Sequence, residues 1–300
     1  MSRLLVSLPS VLLAALRLSA ADAEPIAIVY GLTGQALVRA APASPPRPAQ
    51  RFEWLPVAAE LEVGKGATLL LAFASGVRYE LGEGAKVTLV APDGFRASTG
   101  PVRALSSVSP LPRLATLAAD TLPGTRAGAL RIRGSRIAGL YPRDEASALP
   151  NEATLSWGSL PGTPSYKVQV EDESGNAVFD AEVRTSSVVL SPGVLKPGAR
   201  YHWTVRSLGG ASSARGEADF SVLTAESLAA RTELRRSLHG LLDPESLALL
   251  AEVDSRLGLF VEAQHGFRAA LAQAPGDHTL QAALDKLDGQ ISAVGRDPQP

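Results

Sequence analysis

The stretch Leu195-Lys196-Pro197-Gly198-Ala199-Arg200-Tyr201-His202-Trp203-Thr204-Val205 decides the fold of the central part of this chain. Its second half alternates bulky apolar residues with polar ones, which is the two-residue period of a strand with one buried face. Lys196-Pro197-Gly198 supplies turn residues directly before that strand. The pattern therefore predicts a tight turn that leads into a β-strand whose apolar side faces a core.

Further segments with the same character lie around this stretch, and turn residues separate them. They are Ala153 to Trp157, Tyr166 to Val170, Ala177 to Val183 and Ser187 to Leu190. Several short strands at regular spacing indicate an all-β sandwich. We therefore expect a β-sandwich over residues 137–224.

Five residues of the opening stretch have the spacing of one particular strand of the fibronectin type III family: Leu195, Pro197, Tyr201, Trp203 and Val205. In that family a tyrosine corner ties its hydroxyl back to the preceding turn. Trp157 lies where the family buries its core tryptophan. Residues 137–224 thus resemble a fibronectin type III sandwich, a module that serves as a spacer or a binding platform, although a fold does not fix a function.

The first mature segment, residues 24–105, also predicts short strands separated by glycine turns. Ser75-Gly76 favours a hairpin between two of them. The strand from Val77 to Leu81 has apolar residues at its odd positions, whereas Arg78 and Glu80 are charged. This alternation predicts a half-buried sheet with both charged side chains on the other, solvent side.

The first segment carries a series of motifs in a recognisable order: a glycine-centred opening hairpin, Trp54, the turn Leu61 to Gly64, Gly76 and Leu81-Gly82. In this order they resemble the FecR-type domain, an extracytoplasmic β module first known from ferric citrate signalling. The resemblance implies a β fold outside the cytoplasm and a possible signalling role.

A proline-rich insertion, Ala41 to Gln50, interrupts the first module and is expected to be an exposed loop, because its prolines do not fit a central strand. Phe52 and Trp54 follow it and share one face of an extended segment. Two interpretations stay open for this pair. The rings belong to the core of the first module, or they form a contact site beside a loop.

Residues 106–136 contain repeated proline and glycine without a sustained period, which indicates a linker. Ala129 to Arg133 could add an edge strand within it. We therefore predict two β domains that are packed independently of each other.

The pattern becomes helical at residue 225. A first apolar stripe consists of Leu228, Leu234, Leu238 and Leu241, and Asp243 with Pro244 is typical of a helix start. The residues after it have the spacing of a tetratricopeptide repeat: Leu247, Leu250, Ala251, Gly258, Ala263, Phe267, Ala270 and Pro275. Residues 225–295 thus resemble a tetratricopeptide-like region, with a capping helix from Asp277 to about Ile291.

Two outcomes are open for the helical region, since one repeat cannot bury its own face. A groove around four residues could accept a partner peptide or helix: Leu250, Asp254, Phe260 and Gln264. Alternatively, all four helices pack against each other or against the sandwich. The four groove residues are the candidate partner-binding site.

The N-terminus predicts export. Met1-Ser2-Arg3 is followed by an apolar run, and Ala21-Asp22-Ala23 has the small-x-small form of a signal-peptidase site. Residues 1–23 are therefore expected to be a signal peptide, with an uncleaved anchor as the alternative. The apolar run is shorter than the about 20 residues of a membrane span, so the mature chain is expected in the periplasm or secreted, without stable membrane insertion.

Composition excludes several classes of site. The 300 residues carry 29 Lys and Arg against 30 Asp and Glu, so nucleic acid is not an expected partner. The chain has no cysteine and therefore no disulfide, thiolate metal site or cysteine nucleophile. Neither a nucleophile elbow nor a zinc-protease motif occurs.

Scattered histidines and glycine turns do not build a site either. His202 is expected to face away from Tyr201 and Trp203, and the other three histidines fall on different helices. Gly64-Lys65-Gly66 and Gly82-Glu83-Gly84 are interpreted as turns between strands. No catalytic, metal or cofactor site is predicted, although composition leaves a serine–histidine–aspartate arrangement open.

Together these patterns predict a multi-domain, mainly β protein: a FecR-like module, a fibronectin type III-like sandwich and a tetratricopeptide-like helical end. The expected function is that of a non-enzymatic scaffold of the bacterial envelope that binds a protein or peptide. The alternative is an envelope signalling component that acts through the first module.

Overall fold

The computed structural model describes residues 25–112, 135–209, 213–241 and 243–292. The predicted signal peptide and the segment Ala129 to Arg133 lie outside the described residues. Within the described part the chain is mainly β and ends in four helices. This confirms the predicted fold class.

The first module contains ten strands: β1 (Ala27–Thr33), β2 (Ala36–Arg39), β3 (Arg47–Pro48), β4 (Glu53–Leu55), β5 (Glu60–Val63), β6 (Thr68–Phe73), β7 (Arg78–Leu81), β8 (Lys86–Val90), β9 (Gly94–Thr99) and β10 (Val102–Leu105). They form two five-stranded sheets. Sheet A has the order β10-β7-β6-β1-β4, and sheet B has the order β3-β2-β5-β8-β9. The apolar core lies between them.

The predicted hairpin at Ser75-Gly76 is present and joins β6 to β7 as antiparallel neighbours. Gly76 has a φ of 89°, and a Cβ there would lie 2.1 Å from the Val108 carbonyl oxygen. Only glycine fits this turn. Both glycine-rich motifs that imitate phosphate loops are also turns between strands, as predicted.

Sheet A is covered on both faces. Ala27 and Val29 of β1 point into the core between the sheets. The alternate residues Ile28 and Tyr30 point to the opposite side, where they join a second cluster that includes the C-terminal helices. Successive side chains of one strand therefore belong to two different cores.

The position of Arg78 differs from the predicted one. Its side chain is buried instead of facing solvent, and its Nε donates to the Ser106 carbonyl oxygen at 2.8 Å. Its guanidinium carbon lies 6.0 Å from the ring centre of Tyr30. The prediction of a solvent-facing Arg78 is wrong because alternation alone does not show that another part of the chain covers the second face of the sheet.

The second module contains eight strands: β11 (Ser135–Arg136), β12 (Ser147–Ala148), β13 (Thr154–Ser156), β14 (Ser165–Asp172), β15 (Ala177–Val183), β16 (Ser187–Val189), β17 (Arg200–Leu208) and β18 (Ala214–Val222). β13 pairs with β16, and the other sheet has the order β11-β18-β17-β14-β15. This is the strand order of a fibronectin type III-like sandwich.

The tyrosine corner is confirmed. The Tyr201 hydroxyl oxygen accepts a hydrogen bond from the Lys196 backbone N–H at 2.8 Å. Trp157 and Trp203 lie in the sandwich core with ring centres 6.2 Å apart. The turn and the strand quoted at the outset are thus joined as the spacing predicts.

The helical region consists of α1 (Ala225–Leu238), α2 (Pro244–Arg256), α3 (Phe260–Gln273) and α4 (His278–Ser292). Asp243 caps α2, and its side chain accepts from the Ser246 backbone N–H at 2.8 Å. A Cβ at Gly266 of α3 would lie 2.8 Å from the Cβ of Ala251 in α2. The small residues therefore allow these two helices to approach closely.

Candidate functional site

The three parts of the chain meet in one apolar cluster, which we call the shared core. Its buried members are Ile28, Tyr30, Ala72, Val108, Leu111, Leu149, Leu223, Leu234, Leu238, Leu249, Val253, Leu257 and Leu259. They come from sheet A, the segment after β10, the second module and the helices α1 and α2. The helices therefore pack both against each other and against the first module.

The segment after β10 takes part in this junction. Val108 and Leu111 are buried in the shared core. The Ser109 backbone N–H donates to the Ser237 hydroxyl of α1 at 3.0 Å. This part of the chain thus connects sheet A to the first helix.

Phe52 and Trp54 also contact the helices. The Phe52 ring meets Phe267 of α3 edge-on, with ring centres 5.4 Å apart. The indole N–H of Trp54 donates to Glu252 Oε1 of α2 at 3.3 Å, and the Arg256 guanidinium lies 5.8 Å from the indole ring centre. The pair forms a contact site beside the loop, and the helices of the same chain occupy it.

Arg51 is the charged member of this contact. Its Nε donates to the Tyr30 carbonyl oxygen at 2.8 Å, and its Nη1 pairs with the carboxylate of Asp277. Only 7% of its side chain is exposed. Sequence reasoning missed Arg51 and Asp277, because residues 226 positions apart give no local signal of a contact.

Glu252 has a carboxyl whose pKa is raised in the folded chain. Burial raises the pKa of its carboxyl, and the hydrogen bonds from Arg256 and Trp54 oppose that shift only in part. The carboxylate therefore sits in a poorly solvated position at the boundary between the first module and α2.

The candidate groove residues on α2 are already engaged within the fold. Asp254 is buried and receives hydrogen bonds at 2.6 Å and 2.8 Å from Arg231 of α1. Leu250 is half-buried and packs against the shared core. Sequence reasoning missed Arg231, since an arginine on α1 gives no sign of its buried partner.

The other two candidate residues, Phe260 and Gln264, lie on α3 and contact the neighbouring helices. Phe260 packs against the cluster between α2, α3 and α4. The Gln264 side-chain amide donates to the Asp288 carboxylate of α4. The structure thus brings Leu250 together with the shared core, and Phe260 and Gln264 together with the last two helices.

A cavity of about 210 Å³ lies where the second module meets α3. Tyr141 and Val261 both line it, so the tyrosine lies beside the start of α3. Burial raises the pKa of Tyr141 and also that of Glu262, which lines the same cavity. Both groups therefore favour their neutral forms more than free side chains do.

His202 faces away from the core, as predicted. Its Nδ1 lies 2.9 Å from Asp219 Oδ1, and this hydrogen bond raises the pKa of the imidazole. His239, His265 and His278 are exposed on or beside three different helices. Among the described residues, no group of three His, Asp or Glu side chains could hold a metal ion.

Among solved structures, several fibronectin type III modules are similar to this chain. No protein-family model matches this chain, and no curated protein matches it. An Fn3-like protein from Clostridium thermocellum is 22% identical over 31% of this chain and 97% of its own, with a TM-score of 0.23. A two-domain segment of chicken tenascin is 14% identical over 67% of this chain and 94% of its own, with a TM-score of 0.23.

The FN1–FN3 domains of chicken CNTN1 are 10% identical, with 63% of this chain and 56% of theirs covered and a TM-score of 0.25. These modules are what the chain is similar to. The fold of the second module rests on its own strand order and tyrosine corner. The FecR-type and tetratricopeptide resemblances stay predictions, and no described helix is long and apolar enough to cross a membrane.

Proposed function

We propose that this chain is a non-enzymatic interaction protein of the bacterial cell envelope, which offers its β modules and helices to protein partners as one fixed platform. The observation that carries the proposal is the shared core. Large apolar interfaces suppress relative motion between parts of a chain. A partner would therefore meet surfaces whose mutual positions do not change.

The buried charges support a structural role for the interior. Arg78, Arg231 and Asp254 are buried as whole residues, and each has a hydrogen-bond partner within the fold. Buried polar groups that serve catalysis lie in a cleft with perturbed pKa values and convergent neighbours. The paired arrangement here supports a structural role for these three side chains.

Surface residues support the same proposal. Val189 on β16 is 67% exposed, and Leu37 on sheet B is 42% exposed. These apolar side chains lie on strands, whose positions the fold fixes. They are places where a protein partner would bury apolar area.

Capture from an envelope extract tests the proposal. The bait is the tagged chain 24–300, and the matched control is the same chain with Leu249→Ala, which loosens the shared core. We expect the intact bait to retain specific envelope proteins and the variant to retain less of them. A bait that retains nothing above the level of a tag alone would contradict the proposed function.

Localisation is tested separately by fractionation and N-terminal sequencing. The proposal expects the chain in the periplasmic or secreted fraction, with Glu24 as its first residue. A cytoplasmic chain that still begins at Met1 would overturn the envelope assignment.

A further inference from the structure

We propose that the helices carry a binding surface for a turn-forming segment in which an arginine is followed by an aromatic residue, and that Arg51 and Phe52 of this chain occupy it as a built-in competitor. This inference rests on the proposed function and names the kind of partner. The surface, which we call the helical seat, consists of Phe267 of α3, which Phe52 contacts, and Asp277, which Arg51 contacts.

Arg51 and Phe52, which we call the seated segment, show which kinds of side chain the helical seat binds. Phe52 packs on Phe267 and on the alanines and leucines that α2, α3 and α4 bury around it. The Arg51 guanidinium stacks 5.0 Å above the Phe52 ring centre and pairs with Asp277. A cation, an aromatic ring and an acidic acceptor therefore act together.

The backbone of the seated segment is strained. The Glu53 backbone N–H donates to the Gln50 carbonyl oxygen at 3.3 Å, which closes a four-residue turn. Phe52 is the third residue of this turn and has a φ of 67°. Glycine or asparagine is preferred in that conformation, and a bulky residue there is a genuine outlier.

The seated segment also leaves a hydrogen bond unmade. Arg51 Nη2 is buried, and within the described residues it has no hydrogen-bond partner. A buried donor without an acceptor costs free energy. The chain's own segment is thus an imperfect occupant, both in its backbone and in its hydrogen bonds.

On its other side the segment is joined to β1 by two hydrogen bonds: the Phe52 backbone N–H donates to the Val29 carbonyl oxygen at 2.6 Å, and Arg51 Nε donates to the Tyr30 carbonyl oxygen at 2.8 Å. The preceding Arg47–Pro48 strand is exposed, and β4 is a three-residue edge strand that pairs with β1. Release of Arg51 and Phe52 from the helical seat therefore breaks these two hydrogen bonds, but it breaks none of those that pair β1 with β6 inside sheet A. A partner segment that presents an arginine and the following aromatic ring from a turn with less backbone strain would supply the same two side chains at a lower cost.

A peptide in trans tests the inference. The probe is a fluorescein-labelled peptide with the sequence of residues 48–55, Pro-Ala-Gln-Arg-Phe-Glu-Trp-Leu. Fluorescence anisotropy compares its binding to the full mature chain and to a variant with Arg51→Ala and Phe52→Gly, which vacates the helical seat. The control peptide has alanine in place of its arginine and phenylalanine.

We expect the vacated variant to bind the probe at least about tenfold more tightly than the wild type does, and at least about tenfold more tightly than it binds the control peptide. Adding Asp277→Asn to the vacated variant is expected to weaken the probe by a similar factor. Equal binding of both peptides would overturn the assigned chemistry. Equal binding to wild type and variant would overturn the built-in competition.

Circular dichroism first shows whether the vacated variant keeps its helices. If it does not, Phe52→Gly alone is used, because this variant keeps the Arg51 pair with Asp277. A folded variant without saturable binding overturns the inference. That failure is distinct from failure of the proposed function, since capture of envelope proteins by the wild-type chain does not depend on an empty helical seat.

Discussion

At the scale of single residues, Phe52 makes a stabilising ring contact with Phe267 but has a strained backbone conformation. We predict that Phe52→Gly destabilises the chain less than Phe52→Ala does, by about 1 kcal/mol, although both remove the same ring contact. The reason is that glycine adopts a φ of 67° without strain, whereas alanine does not. Urea denaturation of the two variants measures the difference in the free energy of unfolding.

Ala58 provides the matched control, since it is half-buried and has a φ of 64°. Ala58→Gly relieves the same strain without removing a ring, and it is expected to leave stability unchanged or to increase it by up to about 1 kcal/mol. If Phe52→Gly proves less stable than Phe52→Ala, backbone strain at this turn is not significant.

Glu252 predicts a pH dependence with a defined sign. Its pKa is raised in the folded chain, mainly by burial, so the folded state binds the proton more tightly than the unfolded state does. The charged carboxylate therefore costs stability above its raised pKa, and that cost disappears as the pH falls towards the unfolded value. We expect Glu252→Gln to be more stable relative to wild type at pH 7 than at pH 4.

Thermal unfolding at both pH values measures this difference. Glu233→Gln is the control, because this carboxylate pairs with Arg236 on the exposed surface of α1. A Glu252→Gln effect that does not change with pH would show that the Arg256 and Trp54 contacts cancel the burial penalty.

At the scale of elements, the tyrosine corner is the most sharply testable contact. Tyr201→Phe leaves the Lys196 backbone N–H without its acceptor, which is expected to cost about 1–3 kcal/mol. Tyr79→Phe is a suitable comparison, since it makes the same change in the first module, where the structure gives the Tyr79 hydroxyl no partner among the described residues. Equal losses in the two variants would argue against a special role for the corner.

Strands and helix starts could be predicted because their signals are local. Alternation defines β17, and Asp243-Pro244 defines the start of α2. The contacts of Arg78 and Asp254 could not be predicted, since their partners lie on other elements and no alternation or spacing reports them. The same holds for Phe52, whose turn lacks the glycine or asparagine that marks such a backbone in a sequence.

At the scale of the whole molecule, the shared core predicts cooperative unfolding of the first module and the helices. Leu249 is fully buried in it, and Leu249→Ala is expected to cost about 2–5 kcal/mol. Because sheet A and α1 contribute to the same cluster, hydrogen exchange should accelerate in β1 and in α1 together.

Val205→Ala serves as the comparison, because Val205 lies in the separate core of the second module. Its substitution is expected to accelerate exchange mainly in β14, β17 and β18. Faster exchange in α1 alone after Leu249→Ala would show that the helices open without the first module.

The resemblance to repeat helices leaves open what covers their apolar face, and the structure places part of that face against sheet A. The reason is that a helix pair with an apolar face must cover it somewhere, and Ile28 and Tyr30 supply an apolar face of matching character. Sequence patterns show that each face exists. They do not show that the two faces belong together.

The contact between Arg51 and Asp277 can form only late in biosynthesis, because the two residues are far apart in the sequence. The two residues are 226 positions apart, and a ribosome adds about 5–20 residues per second. The first module therefore leaves the ribosome on the order of ten to forty seconds before the helices that will cover Tyr30 and Trp54. During that interval Tyr30 and Trp54 are not yet covered by the C-terminal helices. The exposed aromatic face is then a surface through which the unfinished chain can bind chaperones or aggregate.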